Sequence, residues 1–153
     1  MVPTLNAIHE FMAQKNIAII SDSSEPRRYC HSLKDKLQQC GYIVKYTRPM
    51  LDDFDEDGRC LTITKLPSVF SALIIDLHPA AASIIMDEAI IKGIGHIWLL
   101  PRAFNCILRE KGTDNQLNLI YNKNILNYLE IPQSILQLYE NYLKNVVSAI
   151  ANR

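Results

Sequence analysis

Hydrophobic and polar positions along the chain form two alternating kinds of segment. Short β-branched runs alternate with segments whose apolar residues recur at helical spacing. Gly41 and Gly93 each follow one of these helical segments and are predicted to end the helix. The apolar runs predict strands at residues 16–20, 42–46, 72–77, 95–100 and 117–121. Strands separated by helices are typical of a parallel sheet covered on both faces. The pattern therefore predicts an α/β fold with a parallel sheet of about five strands and helices on both faces.

Three other segments complete the prediction. Residues 60–64 are interpreted as a short strand and Ala103–Lys111 as a short helix. A final helix begins near Pro132, and its apolar residues fall on one face. They are Ile135, Leu138, Tyr139, Tyr142, Leu143, Val146 and Ile150. We therefore divide the chain into a domain of residues 1–130 and a C-terminal helix of residues 131–153, which packs on that domain or on a second subunit.

Composition and charge narrow the class of protein. The chain has 153 residues and 48% hydrophobic residues, which suits one domain with a substantial core. Lys and Arg number 16 and so do Asp and Glu, which argues against nucleic acid or an anionic membrane as partner. The four cysteines form no CxxC pair, and apolar runs are far shorter than a membrane span. We expect a cytoplasmic protein with reduced thiols.

The turn after the first strand is a candidate phosphate site. Ser21 and Ser23 offer hydroxyl donors at the edge where open α/β sheets bind ligands. Arg27 and Arg28 begin the next helix, where cations oppose the helix dipole and a bound phosphate would offset that cost. Against this, Asp22 would repel a phosphate, and no glycine occurs before residue 41 to allow close approach. The alternative is that Asp22 or Ser23 simply caps the helix.

Three further polar residues follow later strands at the same predicted edge. Arg48 stands where an NAD site would need an acidic residue, so it favours an extra ribose phosphate, as in CoA or NADP. His78 either donates to a phosphate or carbonyl or is a loop histidine bonded to the backbone. Arg102 either binds an anion or fills the predicted ligand pocket with its side chain.

Several segments together resemble the single-domain CoA-binding proteins, relatives of the nucleotide-binding domain of succinyl-CoA synthetase α subunits. The resemblance covers roughly residues 8–130, and its segments are NIAIISDSSEPRRY, GYIVKYTRP, LTITKLPSV, ALIIDLHP, DEAIIKGIGHIWLLPRAFN and LNLIYNKNIL. It implies a Rossmann-like fold and CoA or acyl-CoA as ligand. The family's Gly-x-Ser turn corresponds here to Ser21-Asp22-Ser23, and its Gln and Gly after the Trp strand correspond to Leu100 and Arg102. Pro49 matches the family pattern after the second strand, and Leu100 is expected to line the pantetheine or adenine side.

These observations lead to two main hypotheses. The first is a non-catalytic module that binds CoA, acyl-CoA or a related adenine nucleotide. Its candidate binding residues are Ser21, Ser23, Arg27, Arg28, Arg48, Pro49, His78, Leu100 and Arg102. The alternative is a degenerate CoA-binding fold that lost its ligand and serves as a protein-interaction scaffold. An acyl-CoA-utilising enzyme ranks third, since no acid–base pair or nucleophile stands out.

The last predictions from the sequence concern metal binding and oligomeric state. We predict no metal site, although Asp53, Asp55, Asp57 and Gly58 match the opening of a calcium loop. The twelfth position of such a loop should be Glu and is Thr64 here, which argues against calcium. For the C-terminal helix we favour docking on its own domain, with a homo-oligomer formed through this helix as the alternative.

Overall fold

A five-stranded parallel sheet forms the centre of the protein in a computed structural model that describes residues 3–22, 28–49, 61–129 and 133–151. The strands lie in the order β2-β1-β3-β4-β5, with every neighbouring pair parallel. Their bounds are β1 Asn16–Ser21, β2 Ile43–Thr47, β3 Ala72–Asp76, β4 His96–Leu99 and β5 Asn118–Ile120. The predicted α/β, Rossmann-like fold is confirmed.

Six α-helices accompany the sheet within the described ranges. They are α1 Leu5–Met12, α2 Arg28–Gln39, α3 Leu61–Thr64, α4 Pro79–Lys92, α5 Cys106–Asp114 and α6 Gln133–Ala151. Short 3₁₀ turns lie at Pro101–Ala103 and Ile125–Tyr128. Helix α4 has the predicted ends: Pro79 occupies its first turn, and Gly93 closes it in the left-handed conformation at φ 84°. A side chain would be strained at that φ, so glycine is the natural stop.

The two faces of the sheet bury separate hydrophobic layers. One layer packs α1 and α2 against the sheet and contains Phe11, Leu33 and Trp98, all without solvent exposure. The other contains buried residues of α3, α4 and α5. Trp98 makes an edge-to-face contact with Phe11 at 5.3 Å between ring centroids, and its Nε1 donates to the carbonyl of Lys123 at 3.1 Å. Helices on both faces follow from the central strands β1 and β3, which are buried at nearly every position.

Two local predictions from the sequence are wrong or incomplete. The predicted strand at residues 60–64 is wrong, because Leu61–Thr64 forms α3. Ile63 and Leu66, three residues apart, are both buried against the α4 side, and a helical turn is the conformation that aims such a pair at one surface. Helix α1 was missed, although Thr4 caps it by accepting a hydrogen bond from the Ala7 N–H at 3.0 Å.

The C-terminal segment forms the predicted helix, and its described side chains are open to solvent. All of residues 141–151 are exposed, including Tyr142 at 63% and Ile150 at 65%. The predicted face residues Ile135, Leu138 and Tyr139 lie among the side chains that the structure does not describe. Whether the helix packs on its own domain or on a second subunit remains a prediction. Among the described helices, none is long and apolar enough to span a membrane.

Candidate functional site

The carboxyl edge of the sheet contains a topological switch point between β1 and β3. From β1 the chain passes through α2 to β2 on one side, and all later strands lie on the other side. Open α/β sheets bind ligands in the crevice that this reversal creates. Ser21 ends β1 and Asp76 ends β3, and the two residues are paired in register. Their side chains therefore meet at the point where a ligand is expected.

Asp76 is a buried carboxylate surrounded by donors. Its exposed fraction is 4%. The Ser21 hydroxyl donates to Oδ2 at 3.3 Å, and the Cys30 thiol donates to the same oxygen at 3.4 Å. Arg102 Nε donates to Oδ1 at 2.7 Å, and Arg102 Nη2 donates to the Asp76 carbonyl at 2.5 Å. Residues from β1, α2 and the turn after β4 thus converge on one side chain.

Arg102 also reaches Asp22, the residue that follows β1. Its Nη2 donates to Asp22 Oδ1 at 2.5 Å, so one guanidinium bridges two carboxylates across the switch point. Partial burial lowers the pKa of Arg102, but the hydrogen bonds that Arg102 donates to Asp76 and Asp22, together with their negative charges, outweigh burial and raise that pKa overall. One positive and two negative side chains leave this cluster with a net charge of −1 when all three are ionised.

A cleft of about 650 Å³ opens beside this cluster at the ends of β3, β4 and β5. That volume lies in the range of small-molecule sites, roughly 300–1,000 Å³. The lining residues are Tyr29, Asp76, Leu100, Pro101, Arg102, Asn122, Lys123 and Asn124. The cleft therefore combines an apolar wall with side-chain amides and charges, which suits an elongated ligand with both apolar and polar parts.

Tyr29 connects helix α2 to the far wall of the cleft. Its hydroxyl donates to Asn124 Oδ1 at 3.1 Å, and the same oxygen accepts from the Leu126 N–H at 3.1 Å. Burial raises the pKa of Tyr29, and the negative charge of Asp76 raises it further. The tyrosine is therefore a neutral hydrogen-bonding group at neutral pH.

The predicted site residues fall into three groups. Leu100 and Arg102 line the cleft, and Ser21 does not line it but donates to Asp76, which does. Arg48 and Pro49 follow β2 at the same edge but outside the cleft. Three strand spacings separate β2 from β4, or about 14 Å.

The remaining predicted residues have other positions. His78 is exposed and caps α4, its Nδ1 accepting from the Ala80 N–H at 3.2 Å. Ser23 and Arg27 lie outside the described residues, and the Arg28 side chain is not described.

Two buried hydroxyls at the end of β2 have no hydrogen-bond partner among the described residues. They are Tyr46 Oη and Thr47 Oγ1. A buried polar atom without a partner is costly, by about 1–3 kcal/mol. A polar group of a bound ligand would satisfy the Thr47 hydroxyl, which stands directly before Arg48.

Sequence reasoning missed Asp76 and Tyr29 as site residues. The signal for Asp76 was present, because an acidic residue ends an otherwise apolar run, ALIID, at the carboxyl end of a strand. Tyr29 carries no comparable signal, since a tyrosine in the first turn of a helix is ordinary surface composition. In the described parts of the chain no group of three or more His, Cys, Asp or Glu is placed to hold a metal ion. The calcium-loop residues 53–58 lie outside those parts.

The switch point and the cleft define a doubly wound α/β domain of the ligand-binding kind. A family model described as a CoA binding domain matches residues 15–130, and the chain belongs to this family. The resemblance inferred from the sequence is thereby confirmed.

Solved structures show the same fold at low sequence identity. A hypothetical protein from Pyrococcus horikoshii OT3 superposes with a TM-score of 0.66 at 21% identity, covering 81% of this chain and 88% of that one. A conserved hypothetical protein from Pyrococcus furiosus gives 0.59 at 20% identity, over 74% and 98%. A Thermus thermophilus protein gives 0.55 at 19% identity, over 77% and 90%. No curated protein matches the chain significantly.

Proposed function

We propose that this protein is a non-catalytic module that binds CoA or an acyl-CoA along the carboxyl edge of its sheet. The observation that carries the proposal is the cleft beside the switch point, which lies within the residues matched by the CoA binding domain family. Its size and its mixed apolar and polar lining suit the pantetheine arm of CoA.

The dimensions of the edge suit an extended ligand. The pantetheine arm would lie over Leu100 and Pro101, with the amides of Asn122 and Asn124 facing its two amide groups. The adenosine end would lie about 14 Å away, beyond β1 and at the end of β2. There Arg48 would pair with the ribose phosphate, and the Thr47 hydroxyl would gain a hydrogen-bond partner, which no described residue gives it.

Calorimetry with CoA, dephospho-CoA and NAD tests this layout. We expect saturable binding of CoA, weaker binding of dephospho-CoA and none of NAD. Arg48→Glu should weaken CoA binding by about tenfold or more, because a charge-assisted contact contributes about 1.5–3 kcal/mol. Lys36→Glu is the matched control, since Lys36 is exposed in the last turn of α2, near the opposite edge.

The outcomes separate the function from the layout. Equal CoA affinity in Arg48→Glu and the natural protein would remove Arg48 from the site and leave the function standing. No saturable binding of CoA would contradict the function itself. The ligand-free scaffold would then be the leading account, and the observation that favours it is the negative charge of the Asp22, Asp76 and Arg102 cluster.

We further propose that α6 pairs with α6 of a second copy of this chain. Its exposed apolar residues are Tyr142, Leu143, Val146, Val147 and Ile150. At 100° per residue they occupy a stripe about 140° wide, the width of a helix face that packs against another surface. A stripe of this kind open to water is the usual mark of an interaction face.

Light scattering after size exclusion tests the pairing. We expect a dimer whose population falls on dilution, and Leu143→Glu should convert it to a monomer. Ser148→Glu adds the same charge on the opposite side of the helix and should leave the dimer intact. A monomer at every concentration would contradict the pairing without touching the ligand proposal.

A further inference from the structure

We propose that Asp22 is an internal competitor for the phosphates of the ligand: its carboxylate occupies the anion-binding position on Arg102 and must leave before an anion can bind there. The inference rests on the proposed function, because it concerns the affinity of the same site for CoA. It makes Asp22 and Arg102 the residues that set how strongly the site binds anionic ligands.

Arg102 makes one contact that is retained when a ligand binds and one that a ligand can replace. In the retained contact Asp76 accepts two hydrogen bonds: its Oδ1 accepts from Nε at 2.7 Å, and its backbone carbonyl accepts from Nη2 at 2.5 Å. Asp22 accepts from the same Nη2 at 2.5 Å. Both N–H groups of Nη2 are thereby engaged, one by each aspartate, so a phosphate can pair with this side of the guanidinium only when Asp22 leaves. Phosphate and carboxylate oxygens make the same paired contacts with a guanidinium, so a phosphate can replace Asp22.

Burial determines which carboxylate leaves. The Asp76 side chain is 6% exposed and the Asp22 side chain 48% exposed. Separating a buried ion pair leaves an unpaired charge without solvation, which costs much free energy. Separating an exposed pair costs little, because water takes the place of the lost partner. An arriving phosphate therefore displaces Asp22 and leaves the contact with Asp76 in place.

The position of Asp22 adds a second argument. It follows β1 directly at the switch point, so its charge stands where the pyrophosphate of a dinucleotide-like ligand lies in open α/β sheets. While Asp22 is paired with Arg102, the cluster carries a net charge of −1 and opposes an anion. Once Asp22 is displaced, the cation of Arg102 faces the cleft that it lines.

The test compares CoA with pantetheine, which lacks phosphates, by calorimetry on four forms of the full chain. These are the natural protein, Asp22→Asn, Asp22→Asn with Arg102→Lys, and Asp114→Asn as control. Asp114 ends α5, which returns to the opposite edge of the sheet, and its substitution removes the same charge. The lysine variant retains a cation beside Asp76 while losing the paired donors of the guanidinium. Urea denaturation checks that each variant is folded.

Asp22→Asn should bind CoA about fivefold more tightly, the factor that corresponds to removing an exposed ion pair of about 1 kcal/mol. Its affinity for pantetheine should be unchanged, Asp114→Asn should match the natural protein, and the double variant should lose the gain. If CoA binds equally to the natural protein and to Asp22→Asn, the inference is overturned and the proposed function stands. If CoA binds to none of the four forms, including the two in which Asp22 is neutralised, both are overturned.

Discussion

Removing the Arg102 side chain should destabilise the protein through the carboxylate that it leaves behind. Arg102→Ala removes the guanidinium that pairs with Asp76, which is 4% exposed, while the neutral donors of Ser21 and Cys30 remain. Breaking a buried ion pair from one side costs about 3–5 kcal/mol. The Arg102 side chain is 29% exposed, so water enters the vacated space and reduces this loss to about 2–3 kcal/mol.

Urea denaturation followed by tryptophan fluorescence measures this loss directly. Trp98 is the single tryptophan of the chain and is fully buried, so its emission reports global unfolding. The expected loss corresponds to a fall of about 4–12 °C in Tm for a domain of this size. Arg109→Ala is the control, since it removes an arginine of α5 that pairs with no described carboxylate, and it should change stability by less than about 0.5 kcal/mol.

A second variant isolates the cause of the destabilisation. Combining Asp76→Asn with Arg102→Ala removes the stranded charge, so the double variant should be less destabilised than the sum of the two single variants. If Arg102→Ala unfolds at the same urea concentration as Arg109→Ala, the guanidinium does not neutralise Asp76 and the reasoning fails.

Two further predictions concern the core and the amino edge of the sheet. Gly112→Ala should cost about 1–3 kcal/mol in urea denaturation, because its Cβ would lie 2.7 Å from Leu119 Cδ2. Gly95→Ala, which meets nothing within 4 Å, should be close to neutral, and equal effects would show that Leu119 moves freely. Burial lowers the pKa of His96 despite the opposing charge of Glu10, so the unfolded chain takes up the proton first and the free energy of unfolding should fall as pH drops below about 6.5. His96→Gln should flatten that pH dependence, and an unchanged slope would assign it to other groups.

The sheet and its covering helices could be predicted from the sequence because their signals are local. Apolar runs such as NIAII and ALIID are buried on both faces, and Pro79 and Gly93 act through their own backbone preferences. The failure at residues 61–64 has the opposite cause. A short apolar run suits a strand or a helical turn equally, and only the packing of Ile63 and Leu66 against the α4 layer decides between them.

The candidate site was predictable in its location and not in its chemistry. Topology alone places the residues after β1, β3 and β4 at one edge, so Ser21, Leu100 and Arg102 could be named in advance. That Arg102 is engaged by Asp22 and Asp76, 80 and 26 residues away in sequence, depends on the register between β1 and β3 and on the turn after β4. Sequence by itself determined which strands are buried and where a ligand edge must lie, because local propensity and connectivity suffice for both. Tertiary structure alone decided which charges at that edge neutralise one another, because an ion pair forms by distance in space and not by order along the chain.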